Sequence, residues 1–269
     1  MRITADIRLV ALDLDGTLLD DDKKIPSSTI AVIHEIQARG VQVTLASSRP
    51  FCAVVPYARQ LRIGLPLIAH SGAYIADVKK NNILLRKTLA IHAFKEIVRR
   101  LQEQEYYTKV YCDDVLFVQE ETSETLAYAQ TFNVAYQAVG RYGLTELPEP
   151  IRMAVFDEPE RIRNIDQLIM PWREHFSIAA DTACGLEIVD AAVNKGKAME
   201  LLGDRLGISM ANTLAIGNEG NDLGMIQKAG IGIAMENACS ELKQIATAIT
   251  KSNNQRGVEA ALRSYILQD

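Results

Sequence analysis

The sequence predicts an α/β fold: a doubly wound parallel sheet interrupted by an inserted α+β segment. Three observations point there. Short apolar, β-branched runs alternate with stretches of helical period as far as residue 69. From about 73 to 189 that rhythm gives way to paired strands around polar turns, and after Asn194 the first rhythm returns.

Residues 7–13 form the first predicted strand, within "LVALDLDGTLLD". In "SSTIAVIHEIQARG" (27–40), Ser27 or Ser28 is placed to cap a helix, Ile30, Ile33 and Ile36 mark its apolar face, and Gly40 stops it. The strand "VQVTLA" (41–46), a helix around 52–62 and the strand "PLIA" (66–69) follow. This β-α-β-α-β order implies a Rossmann-like parallel sheet. Strand pairs are predicted in "YIADVKKNNILL" and "YYTKVYCDDVLFVQ", with helices at 90–104, 122–131 and 159–170 and strands near 151–156, 175–180 and 186–190. The last part reads as helix 196–206, strand 213–217, helix 222–228, strand 231–234 and helices 239–247 and 257–267. The expected organisation is a core of residues 1–83 and 186–269 holding an inserted α+β domain, 84–185.

Composition narrows the function classes. The 269 residues carry a net charge of −5 with no Lys/Arg cluster, which argues against a nucleic-acid partner. Four scattered cysteines show no metal-ligand spacing and fit a reducing, cytoplasmic setting. No apolar run approaches the ~18 residues of a membrane span, and no secretory leader is evident. Monomer and homodimer both remain open.

The chemistry starts at the end of the first strand. Ligands of open parallel sheets bind beyond the carboxyl ends of the strands, where Asp13 and Asp15 stand. Side chains two apart share a strand face, and two neighbouring carboxylates repel unless a cation lies between them. Oxygen-rich acidic sites suit Mg²⁺. A bare Asp-x-Asp-Gly is more often only a turn. The remaining motifs change that balance.

"DLDGTLLD" resembles the first motif of the haloacid dehalogenase-like (HAD) phosphotransferases, and the others recur in order. "LASSRP" (45–50) is similar to the second, "NKG" (194–196) to the third, and "IGNEGND" (216–222) to the fourth. "IAMENA" (233–238) and "TKSNNQRGV" (250–258) resemble the tail of the Cof-type subfamily, and the inserted segment resembles its C2-type cap. The resemblance implies a Mg²⁺-dependent phosphatase acting on a small phosphorylated metabolite, a sugar phosphate foremost. Phosphoryl transfer to a sugar hydroxyl is the alternative within enzymes. A catalytically weak protein that binds a phosphorylated ligand is the alternative outside them.

By this resemblance Asp13 is the nucleophile, Asp15 the general acid–base, and Lys195 the cation that lets an anion approach an anion. Leu14, Ser47, Ser48, Arg49, Lys195 and Asn221 are implied at the phosphate or substrate; Asp13, Asp15, Asn218 and Asp222 at the metal. Arg49 has a structural contact as its alternative, Asn221 the loop of the second motif, and Asp222 the orientation of Lys195. The chain departs from the family pattern at Ser48, where glycine is usual, and at Asn218, where aspartate is usual. Loss of that charge predicts weaker ion binding, with Glu219 close enough to compensate. In "HSGAYI" (70–75), His70 and Ser71 stand in the place of the subfamily's common Asn-Gly-Ala string. Glu187 and Asp190 are placed as rim contacts, and substrate choice is assigned to the inserted domain.

Overall fold

The computed structural model describes residues 6–182 and 184–268. In chain order the first elements are β1 (Leu9–Leu12), α1 (Ser27–Ala38), β2 (Gln42–Leu45), α2 (Phe51–Gln60), β3 (Leu67–Ala69), β4 (Tyr74–Ala76) and β5 (Ile83–Arg86). Next come α3 (Ile91–Glu103), β6 (Tyr107–Cys112), β7 (Val115–Val118), α4 (Ser123–Phe132), β8 (Ala135–Ala138) and the single turn α5 (Gly140–Gly143). They are followed by β9 (Arg152–Phe156), α6 (Pro159–Ile169), β10 (Phe176–Thr182) and β11 (Gly185–Asp190). The chain closes with α7 (Lys195–Leu206), β12 (Thr213–Gly217), α8 (Leu223–Lys228), β13 (Ile231–Ala234), α9 (Ser240–Ile245), β14 (Ala248–Ile249) and α10 (Gly257–Leu262).

A five-stranded parallel sheet in the order β14-β13-β12-β1-β2 forms the centre. Every residue of β1, β12 and β13 is buried, as strands covered on both faces must be. A parallel bridge between Ala46 and Ile68 brings β3 alongside β2, and β3, β4 and β5 form an antiparallel three-stranded sheet. Strands distant in sequence therefore meet at the middle. Leu12 pairs with Ile216 on one side and Leu45 on the other, so the segments after β1, β2 and β12 emerge together.

The second sheet runs β10-β11-β9-β6-β7-β8 and is antiparallel except for the β7–β8 pair. Alternation sorts its side chains. Val110, Met153, Val155 and Ile188 join one apolar cluster with Phe94, Ile97 and Ile165 of α3 and α6. Their neighbours Tyr111, Arg152, Ala154 and Glu187 therefore lie on the opposite face. Each such fully buried aliphatic side chain contributes roughly 1.5–3 kcal/mol.

Several expectations change. The boundary expected at 185/186 falls at the start of β11, which pairs with β9 and β10; the second sheet thus keeps residues through 190. β8 and β14 are not anticipated: one lies at a sheet edge with three of four residues exposed, the other is two residues long. The helix expected to reach 247 ends at Ile245, because Thr247 and Thr250 donate their N–H groups to Gly232 and Ala234 beside β13. Neither Ser27 nor Ser28 caps α1; the Ser28 hydroxyl donates to Glu259 of α10 at 2.6 Å.

Candidate active site

Asp13 is held at the end of β1 by its N–H, which donates to Ile216 O of β12 at 3.1 Å. The chain then turns at Gly16, whose φ of +71° suits glycine, and a Cβ there would lie 2.5 Å from Asn218 Nδ2. A second close approach comes at Gly72 (φ +99°), where a Cβ would lie 2.5 Å from Asn194 O. His70 and Ser71 are left-handed as well, so the 70–72 turn seats directly on the start of α7.

Lys195 occupies the first position of that helix, capped by the Asn194 side chain. A cation at a helix N-terminus opposes the helix dipole, so local preference does not explain it. Its ammonium is buried and donates to Asp13 Oδ1 (2.8 Å), Asp222 Oδ1 (2.7 Å) and Asn221 Oδ1 (3.1 Å). These partners use all three of its protons. The ammonium expected at the phosphate therefore faces three protein acceptors, and Lys195 is not among the residues that line the cavity above Asp13.

Burial, then the charge of Asp222, pushes the Asp13 carboxyl up to about 7, with Lys195 pulling the other way. Burial works against the Lys195 ammonium, but Asp13 and Asp222 together hold it fully protonated, above its usual range. Burial would also raise Asp15, yet Arg49 outweighs it: Nε donates to Oδ2 (2.6 Å) and Nη2 to Oδ1 (2.7 Å), with Lys23 adding 2.9 Å to Oδ1. Asp15 is thus held ionised, below the ordinary carboxylate range. Arg49, expected at the substrate, is committed to this pair, and its guanidinium stacks on the rings of Phe132 (4.5 Å) and Tyr57 (5.1 Å).

The residues implied at a metal divide into two groups. With the Asn218 amide turned one way, Oδ1 accepts from the Thr17 hydroxyl at 2.9 Å and lies 2.9 Å from Asp15 O and 3.1 Å from Asp13 Oδ2. Adjacent oxygens around octahedral Mg²⁺, bonded at 2.0–2.1 Å, are separated by about 3.0 Å. A carboxylate, a carbonyl and an amide oxygen therefore fit a Mg²⁺ ion. Turned the other way, the same amide donates Nδ2 to both Asp15 O and Asp13 Oδ2, bridging them without an ion. Asp222 does not belong to this set. One of its oxygens takes Lys195, and the other accepts the N–H groups of Asn218 (2.9 Å) and Glu219 (3.1 Å). Among the described residues no three carboxylate, imidazole or thiolate groups form a metal cluster.

A cavity of about 350 Å³ opens above Asp13. Asp13, Asp15, Ser48, Arg49, Asn218, Glu219 and Asn221 line its floor; Tyr111, Tyr128, Phe132, Arg152, Ala154 and Phe156 line the side made by the second sheet and α4. Leu14 and Ser47 do not line it. Leu14 is buried in the core, and the Ser47 hydroxyl accepts the Arg49 N–H at 3.1 Å. Burial, then Asp222, raises the Glu219 carboxyl.

Glu187 is not a rim residue. It is buried, accepts from Ser71 Oγ and Arg152 Nη1, and lies 3.3 Å from the donating Asn221 Nδ2. A continuous polar chain therefore runs from Asp13 through Lys195, Asn221 and Glu187 to Arg152. Asp190 pairs with Lys87 at 3.7 Å. Arg152, Tyr111 and Phe156 escaped the sequence reading; the one available signal is that residues 152, 154 and 156 share a strand face.

The sequence pattern of the haloacid dehalogenase-like hydrolases matches residues 10–262 of this chain. The chain belongs to that family. It is 31% identical, over 97% of its length and 99% of the relative's, to a Streptococcus pyogenes serotype M6 protein named as a phosphatase. It is 30% identical to the 5-amino-6-(5-phospho-D-ribitylamino)uracil phosphatase YwtE of Bacillus subtilis, over 94% and 96% of the two chains. The solved structure of the subclass IIB sugar phosphatase BT4131 superposes with a TM-score of 0.85 at 21% identity, covering 96% of this chain and 98% of that one. This HAD-type protein is thus an enzyme of the phosphatase kind, with the α/β core expected from the family. No helix among the described residues is long and apolar enough to cross a membrane.

Proposed function

We propose that the protein is a Mg²⁺-dependent phosphatase that hydrolyses a small phosphorylated metabolite, with sugar phosphates as the first class to test, through an aspartyl-phosphate on Asp13. The observation that carries this reading is the buried ammonium of Lys195 between Asp13 and Asp222, directly beneath a cavity. Phosphorus in that cavity meets the Asp13 carboxylate: an Asp13 oxygen–phosphorus bond forms as the bond to the leaving oxygen breaks. Asp15 supplies the proton to that oxygen. Water then attacks phosphorus, the Asp13–phosphorus bond breaks, and Asp15 takes the water's proton. Since Arg49 and Lys23 hold Asp15 ionised, substrate phosphate must draw them away before Asp15 can carry a proton.

Mg²⁺ held by Asp13 Oδ2, the Asp15 carbonyl and Asn218 Oδ1 would offset the negative charge of the phosphoryl group. The second sheet acts as a cap that keeps bulk water from the cavity, and a soluble cytoplasmic enzyme is the setting we infer. The test is phosphate release from a panel of phosphorylated metabolites, in Mg²⁺ and in excess chelator. Release that needs the ion is expected; equal rates in chelator would remove Mg²⁺ from the account, and no release from any ester would remove the activity.

Asn218 gives a sharper check on the ion. Asn218→Asp restores a charged ligand and is expected to tighten Mg²⁺ binding about tenfold or more in a calorimetric titration. Without the ion the same variant should melt at lower temperature than the parent, because a third carboxylate replaces the bridging amide beside Asp13. An unchanged titration would show that position 218 does not touch the ion.

A further inference from the structure

We infer that Asp114, a residue of the second sheet that lies outside the cavity, is a positioning residue for the active site: it completes the N-terminus of α2 and so holds Ser48 and Arg49 at the cavity floor. The consequence for turnover rests on the phosphatase reading; the contact itself does not.

α2 starts without a local cap. Its N-cap residue is Pro50, whose ring offers no acceptor, and no side chain of the cap position bonds the first turn. The first N–H groups of a helix have no partner inside it. Ala53 N–H takes Pro50 O at 3.0 Å, and Cys52 N–H, at the second helical position, donates to Asp114 Oδ1 at 2.9 Å. A local Asp, Asn or Ser at the N-cap makes this same bond. Here it comes from 62 positions further along the chain, in the turn between β6 and β7. The acceptor is a carboxylate, which also suits the positive end of the helix dipole.

Asp114 is fixed from behind. Its second oxygen pairs with Lys80 Nζ of the β4–β5 turn, and that ammonium lies 5.3 Å from the ring of Phe51, the first residue of α2, and 5.6 Å from that of Tyr74. Beside it Asp113, at a φ of +50°, accepts from Arg86 Nε (2.8 Å) and Nη2 (3.2 Å) of β5. Apolar packing makes the same connection independently. Ala53 belongs to a small buried cluster whose other members are Tyr111, Leu116, Val118 and Val134, and Cys52 packs against it. The first turn of α2 is thus seated partly in the second sheet.

What enters that turn is the site. Ser48 and Arg49 line the cavity, and Pro50, at a φ of −60°, joins them rigidly to Phe51. Upstream, Arg49 N–H donates to Ser47 Oγ at 3.1 Å and Arg49 O accepts from His70 N–H at 3.0 Å. Downstream, Asp114 anchors the helix start. Arg49 in turn fixes Asp15 through two bonds. A continuous chain therefore joins the β6–β7 turn to Asp15, and Asp114 belongs to none of the four motifs.

The test measures backbone hydrogen exchange and kcat/KM on the full chain as parent, Asp114→Ala and Asp114→Asn. Asp114→Ala should speed exchange of the amides at 51–53 about fivefold or more, the scale of a lost helix cap. It should lower kcat/KM for the best ester of the metabolite panel by a similar factor. Asp114→Asn keeps an acceptor for Cys52 N–H and gives up the ion pair with Lys80, so it should recover most of both losses, because a half-exposed ion pair is worth little. Asp114→Ser, whose oxygen stops one bond short, serves if the alanine variant does not fold. Unchanged exchange at 51–53 in Asp114→Ala overturns the inference. So does faster exchange with kcat/KM unmoved, or an asparagine variant as impaired as the alanine one. Absence of turnover by the parent with every ester counts against the phosphatase reading alone. Exchange then decides the inference: acceleration in Asp114→Ala that Asp114→Asn reverses supports it, and equal rates overturn it.

Discussion

Asp13→Asn will lower phosphate release by on the order of 10⁶-fold, the scale seen when a covalent enzyme loses its nucleophile. An amide has no charge to offer phosphorus and cannot form the ester that water later opens. The substitution is nearly isosteric, so the fold should survive. The carboxylate's partners are placed by β1, β12 and α7 rather than by Asp13 itself. Loss of activity with an unchanged melting temperature is therefore the expected pair of results. Phosphate release by the variant within about tenfold of the parent, a difference of only ~1.4 kcal/mol in barrier height, would mean that another group attacks.

Lys195→Met will damage stability as well as rate. Methionine fills a similar volume, but it leaves Asp13 and Asp222 buried with no cation between them. Breaking a buried pair by removing one partner costs about 3–5 kcal/mol. At roughly 2–4 °C per kcal/mol for a chain of this size, the melting temperature should fall by about 10 °C or more. Arginine is not expected to rescue, because its planar fork cannot reach three acceptors now met by one ammonium at 2.7–3.1 Å. Thermal unfolding followed by circular dichroism measures the effect. A shift under about 2 °C would show that the three contacts contribute little net energy.

The two substitutions separate what the site does from how it is held. Asp13 faces the cavity, where the proposed chemistry takes place; Lys195 lies behind it and donates to it at 2.8 Å. Their contact is not visible in the local sequence of either, since they stand 182 positions apart. The resemblance in four short motifs was enough to name both residues, because each motif sits where a parallel strand or its following helix begins or ends. Topology then brings those ends together: β1 lies between β2 and β12, and α7 starts against the 70–72 turn.

Motif reading left two partners open for some side chains. Arg49 was expected at substrate or structure and Asp222 at metal-bound water or at Lys195, and in the structure each meets protein: Arg49 an ionised Asp15, and Asp222 Lys195 with two backbone N–H groups. Glu187 was expected at the rim because its strand returns from the insertion. Pairing of β11 with β9 instead places it beside Arg152 and inside. A charge in a sequence carries no record of which opposite charge will reach it first.

The sequence by itself determined the α/β alternation and the carboxylate strand end, because each depends on near neighbours in the chain: apolar periodicity, turn residues and motif order. Only the tertiary structure decided which oxygens meet around Asn218, which cation holds Asp15 and which rings roof the cavity. Those contacts join residues from separate sheets and helices, and their geometry depends on strand register, which a one-residue slip would turn to the opposite face.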